Sequence, residues 1–183
     1  MNTVQADITA KQDLAPLAAL QADNDGYLQQ LAELVATMPP AIYRSHDGHN
    51  DAIGAHVRHV LEHYESLLRD ADSAIDYARR DRDPDLETNS ALAHRRIERV
   101  RARLAELVRD GHDRDLPVMH HHEVAPGQTA AVELQSSLGR ELQFLLSHTV
   151  HHLALIAVLA RQRDVAVPPT LGLAPSTLRH RER

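Results

Sequence analysis

The chain has 183 residues, enough for one domain with a real core and too few for a second of ordinary size. Twenty Lys and Arg stand against 26 Asp and Glu, a net charge of −6, so the basic face of a nucleic-acid binder is not expected. Cysteine is absent, which excludes disulfide frameworks, thiolate metal sites and cysteine nucleophiles, and leaves only nitrogen and oxygen to hold a metal.

Glycine is scarce and the long segments are rich in Ala, Leu, Glu, Gln and Arg, which lose little side-chain freedom in a helix. The first helix carries an apolar stripe of Leu17, Leu20, Tyr27, Leu31, Leu34 and Met38, is weakened in its middle by Asn24, Asp25 and Gly26, and ends at Pro39 and Pro40. A second starts at Asn50 or Asp51, turns Ile53, Val57, Val60, Leu61, Tyr64 and Leu68 inward, and runs until Arg79, Arg80 and Pro84 break it. The third opens near Asn89 or Ser90, buries Ile97, Val100, Leu104, Leu107 and Val108, and stops at Gly111. Residues 112–135 change character and read as a short β-hairpin over one end of a bundle, with Pro126 and Gly127 at its turn. The fourth helix begins near Ser136 or Ser137 and buries Leu138, Leu142, Leu145, Leu153, Ile156 and Leu159 before Arg163. Four amphipathic helices with short connections predict an all-α, four-helix bundle in one domain, with a core of residues 13–163 and a tail of 164–183 packed over it. No apolar run approaches a bilayer span and Met1 to Ala6 lack the plan of a signal peptide, so a cytoplasmic protein is expected.

Fourteen histidines against four tyrosines and one phenylalanine are the unusual feature. His148 and His152, four residues apart on the fourth helix, project from one face together with Leu145, Leu155 and Leu159, a spacing that suits two ligands of one metal ion. A core histidine satisfied by a hydrogen bond across the bundle fits the same spacing. The second helix offers His56, His59 and His63 as a source of the third ligand. Its apolar stripe leaves His56 and His63 near the edge and His59 roughly 150° away, so periodicity alone points to His56 or His63. No Glu lies between His148 and His152, so the zinc-protease HExxH pattern is not matched. Glu141, two turns before His148, fits either a partner of the site or an ordinary first-turn glutamate. His151 stands beside the pair. In a strand, His120 and His122 of the 120–122 triplet face one way and His121 the other, and a solvated segment suits them.

The stretch Ile53-Gly-Ala-His-Val-Arg-His-Val-Leu-Glu-His63, followed some ninety residues later by Ser147-His-Thr-Val-His-His-Leu-Ala154, resembles the DinB/YfiT-like family of bacterial four-helix bundles, described as metal-dependent hydrolases. The resemblance covers roughly residues 13–163. It implies a three-histidine metal site of His59, His148 and His152, and a homodimer, which the wide apolar stripes of the first and fourth helices also suit. The family commonly sets a tryptophan or other aromatic beside these histidines, and this chain has no Trp.

Three neutral imidazoles leave an open position on a divalent ion, the plan of a catalytic centre. Zinc is the default, with nickel, iron(II) and manganese chemically allowed. Two reactions on a small-molecule substrate follow: hydrolysis by metal-activated water, or transfer of a low-molecular-weight thiol, as in relatives of the family. A non-catalytic metal buffer or sensor is the alternative from another class. From imidazole's ordinary pKa, metal loading is expected to weaken below about pH 6.

Overall fold

The computed structural model describes residues 3–46, 52–69, 73–109 and 112–181. In chain order the elements are α1 (Thr3–Thr37), α2 (Pro40–Tyr43), α3 (Ile53–Leu67), α4 (Asp85–Thr88), α5 (Ser90–Leu107), β1 (Asp115–Ala125), β2 (Gln128–Ser137), α6 (Leu138–Gln162) and α7 (Pro175–Arg181). The four long helices form the bundle. Helices α1 and α3 each pack against both α5 and α6, so they stand at opposite corners.

Most of the inward stripes read from the sequence are the core, with Leu20, Leu107 and Val108 only partly buried against it. Leu31, Ile53, Val57, Leu61, Tyr64, Ile97, Leu104, Leu142, Leu145, Leu153 and Ile156 have no solvent exposure. Helix α6 is long and apolar enough to cross a membrane, but its apolar side is spent on this core, against α1 and α3. Leu155 does not share the buried face expected for it and is 37% exposed. Helix α5 is capped as expected, with the Asn89 side chain accepting from the Leu92 N–H at 3.0 Å, and Ser137 caps α6 by accepting from Arg140 N–H. The caps expected at Asn50 and Asp51, and the stop at Gly111, lie outside the described residues.

Asn24 does not weaken α1; it is fully buried and joins three helices. Its amide donates to the Leu20 and Leu142 carbonyls (2.7 and 3.1 Å), and its oxygen accepts from the Tyr64 hydroxyl (2.6 Å), which also meets Thr149 Oγ1 (3.0 Å). Each polar group of that network finds a partner, which is the condition for burying it at tolerable cost.

Two departures from the sequence reading shape the site. Helix α3 ends at Leu67, three turns before Arg79, and the chain from Ser73 to Asp83 is irregular. The hairpin is long, with 11 and 10 residues in its strands, in antiparallel register from Asp115↔Ser137 to Ala125↔Gln128. In place of a continued helix, Ile75 pairs with β1, donating to the Pro117 carbonyl and accepting from Met119 N–H, each at 2.8 Å. At the far end Gly127, with φ +75°, follows Pro126 as the left-handed residue of a tight turn.

The start of α3 depends on close backbone approach. A Cβ on Gly54 would lie 2.0 Å from the Glu87 carbonyl oxygen, a backbone atom of α4 that cannot move aside cheaply. Gly54→Ala should therefore cost about 1–3 kcal/mol, read as a lower urea midpoint. The tail is packed as the sequence suggested: Leu171 is buried and Tyr27 donates to the Leu173 carbonyl at 2.6 Å.

Candidate metal centre

Steps of three and four residues stack His56, His59 and His63 along one side of α3, and the four-residue step does the same for His148 and His152 on α6. Because α3 and α6 pack directly, the two rows meet. The His59 ring centre lies 5.0 Å from His148, 4.6 Å from His152 and 4.4 Å from His63; His148 lies 4.6 Å from His152 and 4.2 Å from His63. Among the described residues, one set of three brings a ligand atom from each member within 4.8 Å of the others: His59, His63 and His148. His152 stands against the same rings but outside that set.

The hydrogen bonds assign the ring nitrogens. A carbonyl can only accept, so the 2.7 Å contact of His63 Nδ1 with the His59 carbonyl puts the proton on Nδ1 and the lone pair on Nε2. That lone pair faces the Arg80 guanidinium at 3.5 Å. His56 Nδ1 and His152 Nδ1 share one proton across 3.0 Å, which leaves the Nε2 of His152 for another partner. His148 Nε2 is buried and has no hydrogen-bond partner among the described residues.

Burial holds these rings neutral. It pushes His59 down to about 4 and both His63 and His152 to about 3, with Arg80 and the neighbouring imidazoles adding to the shift for His59, and it also lowers His148. At pH 7 each ring of the cluster is a neutral imidazole with one nitrogen free of a proton, the charge state a metal ligand requires. The pH 6 threshold expected for metal loading therefore moves down, because protons reach these rings only well below the range of free imidazole.

Several site neighbours were not singled out from the sequence. The irregular segment after α3 brings Tyr77 and Arg80 to the cluster. Tyr77 stacks on His63 at 5.5 Å and 19°, and Phe144 stacks on His148 at 5.6 Å and 24°. These two rings fill the place beside the histidines where a Trp is lacking. Only the four-residue step from Phe144 to His148 signalled any of this. Arg80 donates to the Tyr77 carbonyl and lies 3.8 Å from Glu62, which is buried. Glu141 is not in ring contact with the cluster; its two carboxylate oxygens accept from Tyr77 (2.7 Å) and Ser136 (2.5 Å). It positions Tyr77. His151 is exposed, with its ring against His152 at 5.2 Å. On the hairpin His120 and His122 do share a face, their rings stacked at 5.9 Å, while His121 pairs with Asp76 at 2.9 Å.

Two clefts flank the cluster. One, of about 310 Å³, reaches His56, His59 and His152 directly and is bordered by Arg58, which is paired with Glu87 at 2.9 Å. The other, of about 470 Å³, lies beneath the hairpin against Tyr77, Arg80 and Phe144.

A four-helix bundle with an inward-facing histidine cluster shared by two packed helices defines a helical protein of metal-binding type. Residues 25–156 match the model of the DinB superfamily, and the chain belongs to that superfamily, whose members are generally metal-binding. FK506-binding protein 5 of Rhizopus delemar is 31% identical over 108 residues, which make up 59% of this chain and 28% of that protein. The chain thus spans well under a third of the curated relative it matches. No solved structure matches it significantly.

Proposed function

We propose that the protein is a metal-dependent enzyme acting on a small molecule, with one divalent ion per chain held by His59, His148 and His152. The observation that carries this reading is His148 Nε2, a buried ring nitrogen with no hydrogen-bond partner among the described residues, amid three neutral imidazoles. An unpaired buried polar atom is costly, and a cation supplies what it lacks.

The structure offers two candidate third ligands, and the hydrogen bonds favour His152. His63 already has both ring nitrogens engaged, and the Arg80 guanidinium beside its Nε2 would repel a dication. His152, by contrast, is oriented by His56 through Nδ1 in the manner of a ligand braced from behind. The nitrogen-only donor set suits zinc, and also accommodates nickel, iron(II) or manganese. When bound, such an ion would lower the pKa of the water or thiol that reaches it and so furnish a nucleophile near neutral pH. The chain's own residues do the rest. His56 orients the His152 ring through Nδ1, the cleft bordered by Arg58 admits the substrate, and Tyr77 and Phe144 close the opposite side of the cluster. The open cleft favours turnover over metal storage, since a buffer gains nothing from an exchangeable position.

Elemental analysis after mild chelation and reloading should find close to one ion per chain. Less than about a third of an equivalent would overturn the reading, and several tight ions would favour the buffer. A screen of electrophilic small molecules with and without an added low-molecular-weight thiol then separates hydrolysis from thiol transfer. We also propose a homodimer, with Leu155 and Val158, 37% and 50% exposed on the outer side of α6, covered by the second copy. Light scattering at micromolar concentration should give twice the 20.4 kDa of one chain, and a monomer mass would refute it.

A further inference from the structure

We propose that the cleft beneath the hairpin is a separate binding site for a small molecule whose body is apolar or aromatic and carries a carboxylate. The inference does not rest on the metal-centre reading. The cleft borders the cluster without opening onto it: two of its walls are the rings that stack on the histidines, Tyr77 and Phe144, themselves 5.1 Å apart. Its other side is Val118 and Leu134, the latter 49% exposed although large and apolar. A volume of about 470 Å³ with mostly apolar walls and a few charged groups is the ordinary form of a small-molecule site.

The charges select the ligand. Arg140 holds its guanidinium over the Phe144 ring, 5.9 Å from the centroid, and has no ion-pair partner among the described residues. Arg80, deeper in the cleft, is balanced by Glu62 behind it. The carboxylate that could cancel Arg140, Glu141, has both oxygens occupied by the Tyr77 and Ser136 hydroxyls. Arg140 is therefore the uncommitted charge at the mouth of an aromatic slot. A planar fork above a ring suits a planar oxyanion attached to an apolar body, with the body against Phe144 and the carboxylate on the guanidinium.

Phe144 is the only phenylalanine, so its ring resonances report this cleft without ambiguity. Titrating the metal-free and the zinc-loaded protein with 3-phenylpropionate, 3-phenylpropanol and propionate, observed at those resonances, tests the proposal. The acid should bind about tenfold tighter than both the alcohol, which lacks the charge, and propionate, which lacks the ring. Arg140→Gln, at an exposed position, should bring acid and alcohol to within about twofold of each other, with Arg140→Lys restoring part of the gap. Phe144→Leu, followed by calorimetry because it removes the reporting ring, should weaken acid and alcohol alike. Equal binding of acid and alcohol to the native protein, an unchanged gap in Arg140→Gln, or no saturable shift of Phe144 would each overturn it. Acid binding by a chain that takes up no metal would sink the metal-centre reading and leave this one standing; metal uptake without acid binding would do the reverse.

Discussion

Alanine at His59, His148 or His152 should each lower zinc affinity by more than about 100-fold, while His56→Ala should cost about tenfold and His63→Ala no more than that. The expected difference follows from what each ring does. His148 Nε2 is buried without a partner among the described residues, and of the rings beside it His63 is the one whose Nε2 meets the Arg80 guanidinium, at 3.5 Å, which leaves His59 and His152. His56 acts on the centre through its hydrogen bond to His152, so its loss loosens a ligand without deleting one. Competition with a chromophoric chelator, on variants checked by circular dichroism, gives the ranking. Should His63→Ala empty the site while His152→Ala leaves it filled, the ion sits among His59, His63 and His148, the set whose ligand atoms already lie within 4.8 Å of one another.

The metal-free protein should lose stability steeply below pH 6.5. An unfolded histidine takes up a proton near pH 6.5, whereas in the fold burial holds His63 and His152 down to about 3 and His59 to about 4. Between those values the unfolded chain binds more protons than the native one, so stability is fully present above pH 6.5 and falls as the pH drops toward the folded values. The two buried rings, His63 and His152, together remove up to about 3 kcal/mol per pH unit, and half-buried His59 and His148 add a smaller, solvent-screened amount. For a chain of this size the melting temperature of the metal-free protein should drop by roughly 5–10 °C between pH 6.5 and 5.5. A zinc-loaded sample should hold its melting temperature further into acid, because the ion binds only the native arrangement of neutral rings. Identical metal-free melting temperatures at pH 7 and 5 would show that the rings are not buried in neutral form.

Much of the frame was legible because it depends on period alone. A 3.6-residue repeat of Leu, Ile and Val can be read without knowing the partner helix, and it gave the inward faces of all four long helices. Capping at Asn89 and Ser137 follows equally from local chemistry, since the side chain serves an N–H two or three residues away. That His148 and His152 share a face is likewise a property of one helix. What one helix does not contain is the direction of its neighbours. Periodicity ranked His59 as the histidine farthest from the buried stripe of its helix, yet α6 approaches on the side where the His59 ring meets both His148 and His152.

The remainder is decided by contacts between segments distant in sequence. Asn24 reads as a helix weakener until Tyr64 and Leu142 supply its partners from two other helices. The second helix reads as continuing to Arg79, because nothing local stops it. Its early end depends on the pairing of Ile75 with a strand more than forty residues onward, and that pairing is what delivers Tyr77 and Arg80 to the histidines. Sequence by itself determined the long helices, their buried faces and the six histidines that α3 and α6 present, because periodicity and spacing are local. Only the tertiary structure decided which rings meet, which nitrogen is left without a partner and which aromatic and cationic groups close around them, because hydrogen-bond satisfaction and burial are settled between elements.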